Sequence, residues 1–136
     1  MCLEIDREKT KAHGEIVDEW YKFYKIFIVK DNKLLNIFKD GVADTKEVIA
    51  DGDIDIKDNE IHGGVIHAHY EFKRARTDHI LLSHMIRDVI LLPVNVHSDD
   101  IVAYGLHSDV CFFKYHFADE TVNQLEDMYS IHFKSN

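Results

Sequence analysis

Residues Trp20–Lys30 read WYKFYKIFIVK, and this stretch sets the architecture that the rest of the chain must complete. Apart from its lysines, every residue is aromatic or β-branched, which is the composition that β-strands favour. Because alternate residues of a strand point to opposite faces, one face carries Tyr21, Phe23, Phe27 and Val29, and the other carries Trp20, Tyr24, Ile26 and Ile28. We therefore predict a strand that other elements cover on both sides.

Turn-forming residues on either side divide the chain into further short elements. Asp, Asn and Lys at 31–33 predict a hairpin whose return strand spans residues 34–38. Similar patterns predict strands at 42–50, 51–60, 65–72, 89–94, 101–104 and 110–117, with Pro93 near a strand end or at a sheet edge. Helices are predicted over residues 77–87, where Thr77 and Asp78 supply N-cap chemistry, and from Asp119 onward, where Val122, Leu125 and Met128 recur at helical spacing.

These elements predict an α+β fold that is strand-rich, with a mainly antiparallel or mixed sheet and two or three helices, in a single domain over residues 1–136. Residues 1–18 are charged and weakly patterned, so we expect a short helix in a loosely packed N-terminal segment. The core should bury the large apolar side chains of the strands, namely Trp20, Phe23, Phe27, Ile90, Leu92 and Phe113.

The formal net charge is −9, from 25 Asp and Glu against 16 Lys and Arg. Such a surface repels phosphate backbones and anionic lipids, so we expect neither nucleic-acid nor membrane binding, but a protein partner with a basic surface. The N-terminus has charge where an export signal needs apolar residues. With two cysteines at no metal-site spacing, we expect a reducing, cytoplasmic location. The sequence leaves homo-oligomerisation open.

The most unusual segment, residues 61–71, contains three histidines. On a strand, His67, His69 and Glu71 share one face, and two imidazoles with a carboxylate are a donor set for a divalent metal such as Zn²⁺ or Fe²⁺. The alternative interpretation is a solvent-facing stripe on a half-exposed strand, with no cofactor. The candidate catalytic residues of this segment are His62, His67 and Tyr70.

A run of carboxylates follows Ala50 and consists of Asp51, Asp53, Asp55, Asp58 and Glu60. Ile56 stands where a calcium-binding EF-hand loop needs Gly, and His62 stands where it needs Glu, so that loop is excluded. We predict an edge strand whose acidic outer face prevents unwanted strand addition and forms the binding surface for a basic partner.

Two near-repeats, His97-Ser98-Asp99 and His107-Ser108-Asp109, contain the residue types of hydrolase triads. Neighbouring residues of a strand point to opposite faces, so neither triplet forms a triad by itself. Because Ser and Asp side chains bond readily to nearby backbone, we predict a turn at each triplet.

The order of the short motifs resembles that of a scattered group of bacterial and phage domains of unassigned activity. The matching residues are Tyr24-Lys25, Gly63-Gly64, His67-Ala68, Ala75, residues 89–93 and Tyr104-Gly105. This resemblance implies no reaction. The pair His62-Gly63 also resembles the His-Gly pair that binds NAD in ADP-ribosyltransferase cores, which implies NAD as a cofactor. Gly64 replaces the Ser or Thr usual after that pair, and no catalytic Glu can be placed.

Two functions follow as alternatives. The first is a small, acidic interaction module, phage- or effector-derived, that acts on a host protein. The second is an enzyme with a site around His62, His67 and His69, either a metal-assisted hydrolase or an ADP-ribosyltransferase-like protein. A deep cleft lined by these histidines would favour the enzyme, and a flat, exposed strand would favour the interaction module.

Overall fold

Two antiparallel sheets and three helices make up the fold in the computed structural model, which describes residues 2–37 and 42–134. The strands are β1 (Cys2–Glu4), β2 (Trp20–Lys30), β3 (Lys33–Asn36), β4 (Glu47–Ile49), β5 (Asp55–Lys57), β6 (Glu60–His62), β7 (Ile66–His69), β8 (Val89–His97), β9 (Ile101–Tyr104), β10 (Asp109–Phe112) and β11 (Lys114–His116). The helices are α1 (Arg7–His13), α2 (Phe72–Ser83) and α3 (Asp119–Tyr129). The predicted strand-rich α+β class and the single domain are confirmed.

The long β2 strand organises the larger sheet. It pairs with β8 from Trp20, opposite His97, to Ile28, opposite Val89. The strand order is β4-β11-β8-β2-β7-β10-β9, and β3 pairs with the end of β2 as the predicted hairpin. Residue 38 of the predicted return strand lies outside the described residues.

The larger sheet curves around an aromatic core. β10 and β11 stand on opposite sides of β2 in the strand order, yet the rings of Phe112 and Tyr115 meet at 6.0 Å between centroids. The ring of Phe23 stacks on that of Phe112 with 6.0 Å between centroids, and the ring centroids of Phe27 and Tyr115 are 6.4 Å apart. The inner face of β2 therefore fills the concave side of the sheet, and Phe117 and the apolar face of α3 close it.

A smaller sheet, in the order β1-β6-β5, carries the N-terminal segment. Leu3 in β1 and Ile61 in β6 are fully buried against Cys111 of the larger sheet. The Asp6 side chain caps α1 by accepting a hydrogen bond from the Lys9 backbone, and His13 at the end of α1 is buried. The segment that we expected to pack loosely thus contributes both a strand and a helix to the packed structure.

Helix α2 covers the outer face of β2, and it begins earlier than predicted. Glu71, not Thr77 or Asp78, stands at the N-cap position, and the helix ends at Ser83. Thr77 bonds back to the Lys73 carbonyl within the helix, which is the alternative use of a hydroxyl that Thr makes in helix interiors. The Asp78 carboxylate does not cap the helix, and it pairs with the His69 ring instead.

The predicted core is correct for the strand centres and wrong at two positions. Phe23, Phe27 and Leu92 are buried, and Ile90 is half-buried. Trp20 and Phe113 are 58% and 42% exposed, because Trp20 opens β2 at its uncovered end and Phe113 lies in the link between β10 and β11. Met128 of α3, at 70%, is also exposed.

Strand boundaries account for the remaining differences. Pro93 lies in the middle of β8 opposite Tyr24, not near a strand end, and the register of β8 with β11 is confined to Asn95 opposite His116. Of the predicted strand at 42–50, only Glu47–Ile49 is a strand in the described structure.

Among the described residues, no helix has both the length and the apolar character needed to cross a membrane.

Candidate ligand-binding site

The candidate site lies where the partner of β2 changes along one edge. β3 pairs with Phe27 to Lys30, and β7 meets the same edge at Tyr24, opposite His69. The sheet is therefore broken between β3 and β7, next to Lys25 and Ile26. The Lys25 ammonium reaches across this break and donates to the His67 carbonyl of β7 at 2.8 Å.

A cavity of about 650 Å³ occupies this break. Its walls are largely apolar and include Ile26, Val48, Ile66 and Leu82, which come from β2, β4, β7 and α2. His67, His69 and Tyr115 also line it. A concave, mainly apolar cavity with a few converging polar groups is the usual form of a small-molecule site.

Two residues that line the cavity carry polar atoms that no protein group satisfies in the described structure. Among the described residues, the Tyr115 hydroxyl and the Asn36 Oδ1 are buried and have no hydrogen-bond partner, and both side chains line the cavity. The Tyr115 side chain is fully buried, and this burial raises the pKa of its phenol, so the hydroxyl keeps its proton. Leaving such a group unpaired costs about 1–3 kcal/mol of stability. Native structures contain few buried polar groups without a partner.

His69 and Asp78 form an acid–base pair in the cavity wall. The His69 Nε2 lies 3.1 Å from the Asp78 Oδ2, and Arg74 approaches the other carboxylate oxygen at 3.6 Å. Burial lowers the pKa of His69, while Asp78, the Ser108 backbone and Asp109 oppose this shift. In the described structure, the His69 Nδ1 is buried without a hydrogen bond of acceptable geometry, although the Ser108 backbone is close enough to favour the charged ring.

The charged groups that line the cavity are mainly acidic. Asp51, Asp78 and Asp109 contribute carboxylates, and Lys25 contributes an ammonium group. Within the described lining, negative charge therefore exceeds positive charge. This balance disfavours an anionic ligand such as a phosphate.

The three candidate catalytic residues occupy different surroundings. His67 lines the cavity, as does its neighbour His69. His62 lies in the smaller sheet, where its Nε2 is 3.3 Å from a Glu60 carboxylate oxygen. Tyr70 packs against Tyr104, and the Lys9 ammonium lies 3.7 Å from its ring centre. The residues that we grouped in sequence thus do not form one site.

The candidate metal donor set of His67, His69 and Glu71 is not assembled. Glu71 leaves the strand and becomes the exposed residue that precedes α2, so it no longer continues the face of His67 and His69. Across residues 2–37 and 42–134, no group of three or more His, Cys, Asp or Glu side chains is arranged to hold a metal ion.

Gly63, which belongs to the His-Gly pair that resembles an NAD-binding element, and Gly64, which departs from that pattern, both have a packing role. Both have positive φ, 68° and 41°, a conformation that suits glycine. A Cβ at Gly64 would lie 2.6 Å from the Asp53 carbonyl carbon. Two backbone segments therefore meet here, and the glycines allow that close approach.

The acidic run does include an edge strand, as predicted, because β5 ends the smaller sheet. Asp58 and Asn59 form the turn to β6 with positive φ at both residues, as type I′ hairpin turns require. Asp53, Asp55 and Asp58 are exposed, Glu60 is half-buried beside His62, and Asp51 lines the cavity.

Both His-Ser-Asp triplets lie at turns, as predicted. Residues Ser98–Asp100 form a short 3₁₀ helix, in which the Asp99 backbone donates to the His97 Nδ1 at 3.2 Å. The backbone N–H of His107 donates to the Asp109 carboxylate at 3.2 Å. Neither triplet supplies a catalytic triad.

Sequence reasoning missed three residues of the site, namely Asn36, Asp78 and Tyr115. Each was assigned a local role, in a strand or at a helix cap, that its residue type fits. The sequence contains no signal for their convergence, because it arises from the curvature of the sheet and from the early start of α2.

No family model matches the sequence, and comparisons with curated proteins and with solved structures find no significant match.

The lowered pKa of His69 predicts a specific dependence of stability on pH. Because the unfolded chain binds this proton more readily, stability that is present above the ordinary pKa of 6.5 falls as pH drops toward the folded value. We expect His69→Gln to reduce the loss of unfolding free energy between about pH 7 and about pH 5. Urea denaturation at a series of pH values measures this loss.

The matched control is His107→Gln, because the His107 side chain is 74% exposed. This variant should lose stability with falling pH as the unaltered protein does. A His69→Gln variant with the same or a steeper loss would contradict the assignment of a neutral, buried imidazole.

Proposed function

We propose that this domain binds a small organic molecule in the cavity between α2 and the break in the larger sheet. The observation that carries the proposal is the Tyr115 hydroxyl, which is fully buried, belongs to a residue that lines the cavity and has no partner in the described structure. A phenylalanine would fill the same space without burying an unpaired hydroxyl. A ligand that accepts a hydrogen bond from this hydroxyl gives tyrosine its advantage at this position.

The acid–base pair in the wall supports binding rather than turnover. The Nε2 of His69 is taken by Asp78, and the Nδ1 is buried, so neither nitrogen is well placed to take a proton from a bound molecule. The lowered pKa keeps the ring neutral near pH 7, and a neutral ring is easier to bury beside an apolar ligand. The pair therefore serves to shape the wall of a binding site.

Replacing Tyr115 by Phe tests the proposal. Without ligand, we expect the free energy of unfolding to stay unchanged or to rise by up to about 1 kcal/mol, because an unpaired buried hydroxyl is removed. Compounds from a diverse small-molecule set that raise the melting temperature of the unaltered protein should lose most of this effect in the variant. Thermal unfolding and native mass spectrometry measure the two expectations.

Tyr104→Phe is the matched control. The Tyr104 hydroxyl bonds to the His13 Nδ1 at 3.4 Å and is not part of the cavity lining. This variant should be destabilised by about 1 kcal/mol and should keep its response to ligands. The proposal fails if Tyr115→Phe is the more destabilised variant, or if no compound distinguishes it from the unaltered protein.

A second candidate function is the capture of a protein with a basic surface by the hairpin of β5 and β6. It is favoured by the exposed carboxylates of Asp53, Asp55 and Asp58 along one edge of the smaller sheet. Opposite charges attract over a Debye length of roughly 8 Å at physiological salt. Binding through this surface would therefore weaken as salt is raised.

A lysine-rich peptide is the probe for this second function. We expect salt-sensitive binding that the double change Asp53→Lys and Asp55→Lys removes. The charge-matched control changes Asp119 and Glu120, which are exposed in the first turn of α3, to Lys. If both variants lose binding equally, the net charge of the protein explains the binding. The hairpin is then rejected as the binding site.

A further inference from the structure

The identity of the unpaired groups narrows the chemistry of the ligand. The Asn36 side chain ends in a carboxamide, and its buried Oδ1 needs a hydrogen-bond donor. The Tyr115 hydroxyl keeps its proton, so it can donate to an acceptor on the ligand. A ligand that completes both groups carries a hydrogen-bond donor for Asn36 and an acceptor for Tyr115.

A carboxamide has both of these groups in one planar unit. It also pairs with Asn36 whichever way the oxygen and nitrogen of the Asn36 amide are turned, because each amide can donate and accept. A carboxylate offers acceptors alone, and with the Asn36 amide oriented as in the structure it would leave the Asn36 oxygen unpaired. The hydrogen-bonding groups of the cavity therefore discriminate between two ligands of nearly the same shape.

The charges of the cavity wall also favour a carboxamide over a carboxylate. Asp51, Asp78 and Asp109 place carboxylates around the cavity, and the Lys25 ammonium already donates to the His67 carbonyl. An anionic ligand would meet more like charge than opposite charge from the described lining. A neutral ligand avoids this repulsion, and a cationic one gains from it.

Resting on the ligand-binding function proposed above, we infer that the cavity selects an uncharged carboxamide on an apolar body over the corresponding carboxylate. The apolar body lies against Ile26, Val48, Ile66 and Leu82, while the amide pairs with Asn36 and an acceptor on the ligand receives the Tyr115 proton. A cationic amidine of the same shape lacks an acceptor for the Tyr115 proton, but it keeps the N–H donors for Asn36 and gains from the wall carboxylates, so it is tolerated.

Benzamide, benzamidine and benzoate are the probes, because they share one ring and differ in charge and in donors. With the full chain near neutral pH, we expect benzamide and benzamidine to bind and benzoate to bind at least about tenfold more weakly. Ligand-observed NMR titration gives the three dissociation constants. Asn36→Asp should weaken benzamide binding and strengthen benzamidine binding.

Asn95→Asp is the charge-matched control, because Asn95 lies in β8 opposite Lys22 and is not part of the cavity lining. It should leave the order of the three probes unchanged. If Asn36→Asp fails to fold, Asn36→Leu replaces it, and the advantage of benzamide over benzoate should then shrink to the part that the wall carboxylates provide.

The outcomes separate this inference from the function on which it rests. Benzoate binding as tightly as benzamide overturns the carboxamide preference and leaves the cavity as a ligand site. Failure of all three probes, while other small molecules bind in a Tyr115-dependent manner, overturns the preference in the same way. Absence of any Tyr115-dependent ligand overturns both the preference and the proposed function.

Discussion

The pairing of β2 with β8 is the constraint on which the rest of the structure depends. It runs along almost the whole of both strands and sets Phe23 and Phe27 on the inner face of the sheet. To bury these rings, the sheet has to curve until Phe112 and Tyr115 close the other side of the core. The curvature thus brings together strands that stand on opposite sides of β2 in the sheet order.

The same curvature creates the site. β3 and β7 share one edge of β2, and between them the sheet opens beside Lys25 and Ile26. The Tyr115 ring packs in the aromatic core, and the same residue lines the cavity at this opening. A core position that packing alone would fill with phenylalanine therefore carries a polar group in a residue of the cavity wall.

Much of the fold can be predicted from local pattern. The aromatic and β-branched run of β2, the turn after Lys30, the apolar β8 and the helix after Ala118 follow from residue type and spacing. The start of α2 could not be predicted, because Thr77 and Asp78 have the chemistry of an N-cap and are used otherwise. The exposure of Trp20 was missed for a related reason, since which end of β2 stays uncovered depends on where α2 lies.

The candidate site was predicted in part. His67 and His69 do line the cavity, because their alternation on β7 places them on one face. Glu71, His62 and Tyr70 do not join them, since the chain turns into α2 after β7 and β6 belongs to the smaller sheet. Asn36 and Tyr115 lie far apart in sequence, and three-dimensional curvature alone places both on the same cavity.

The central claim is that the Tyr115 hydroxyl is reserved for a ligand. A crystal structure of the protein soaked with benzamide tests it most directly. The account predicts a bound molecule in the cavity with an acceptor within about 2.5–3.0 Å of the Tyr115 Oη, a normal O–H···O distance. A Tyr115 hydroxyl bonded to an acceptor of the protein itself, with the cavity closed by side chains, would contradict it.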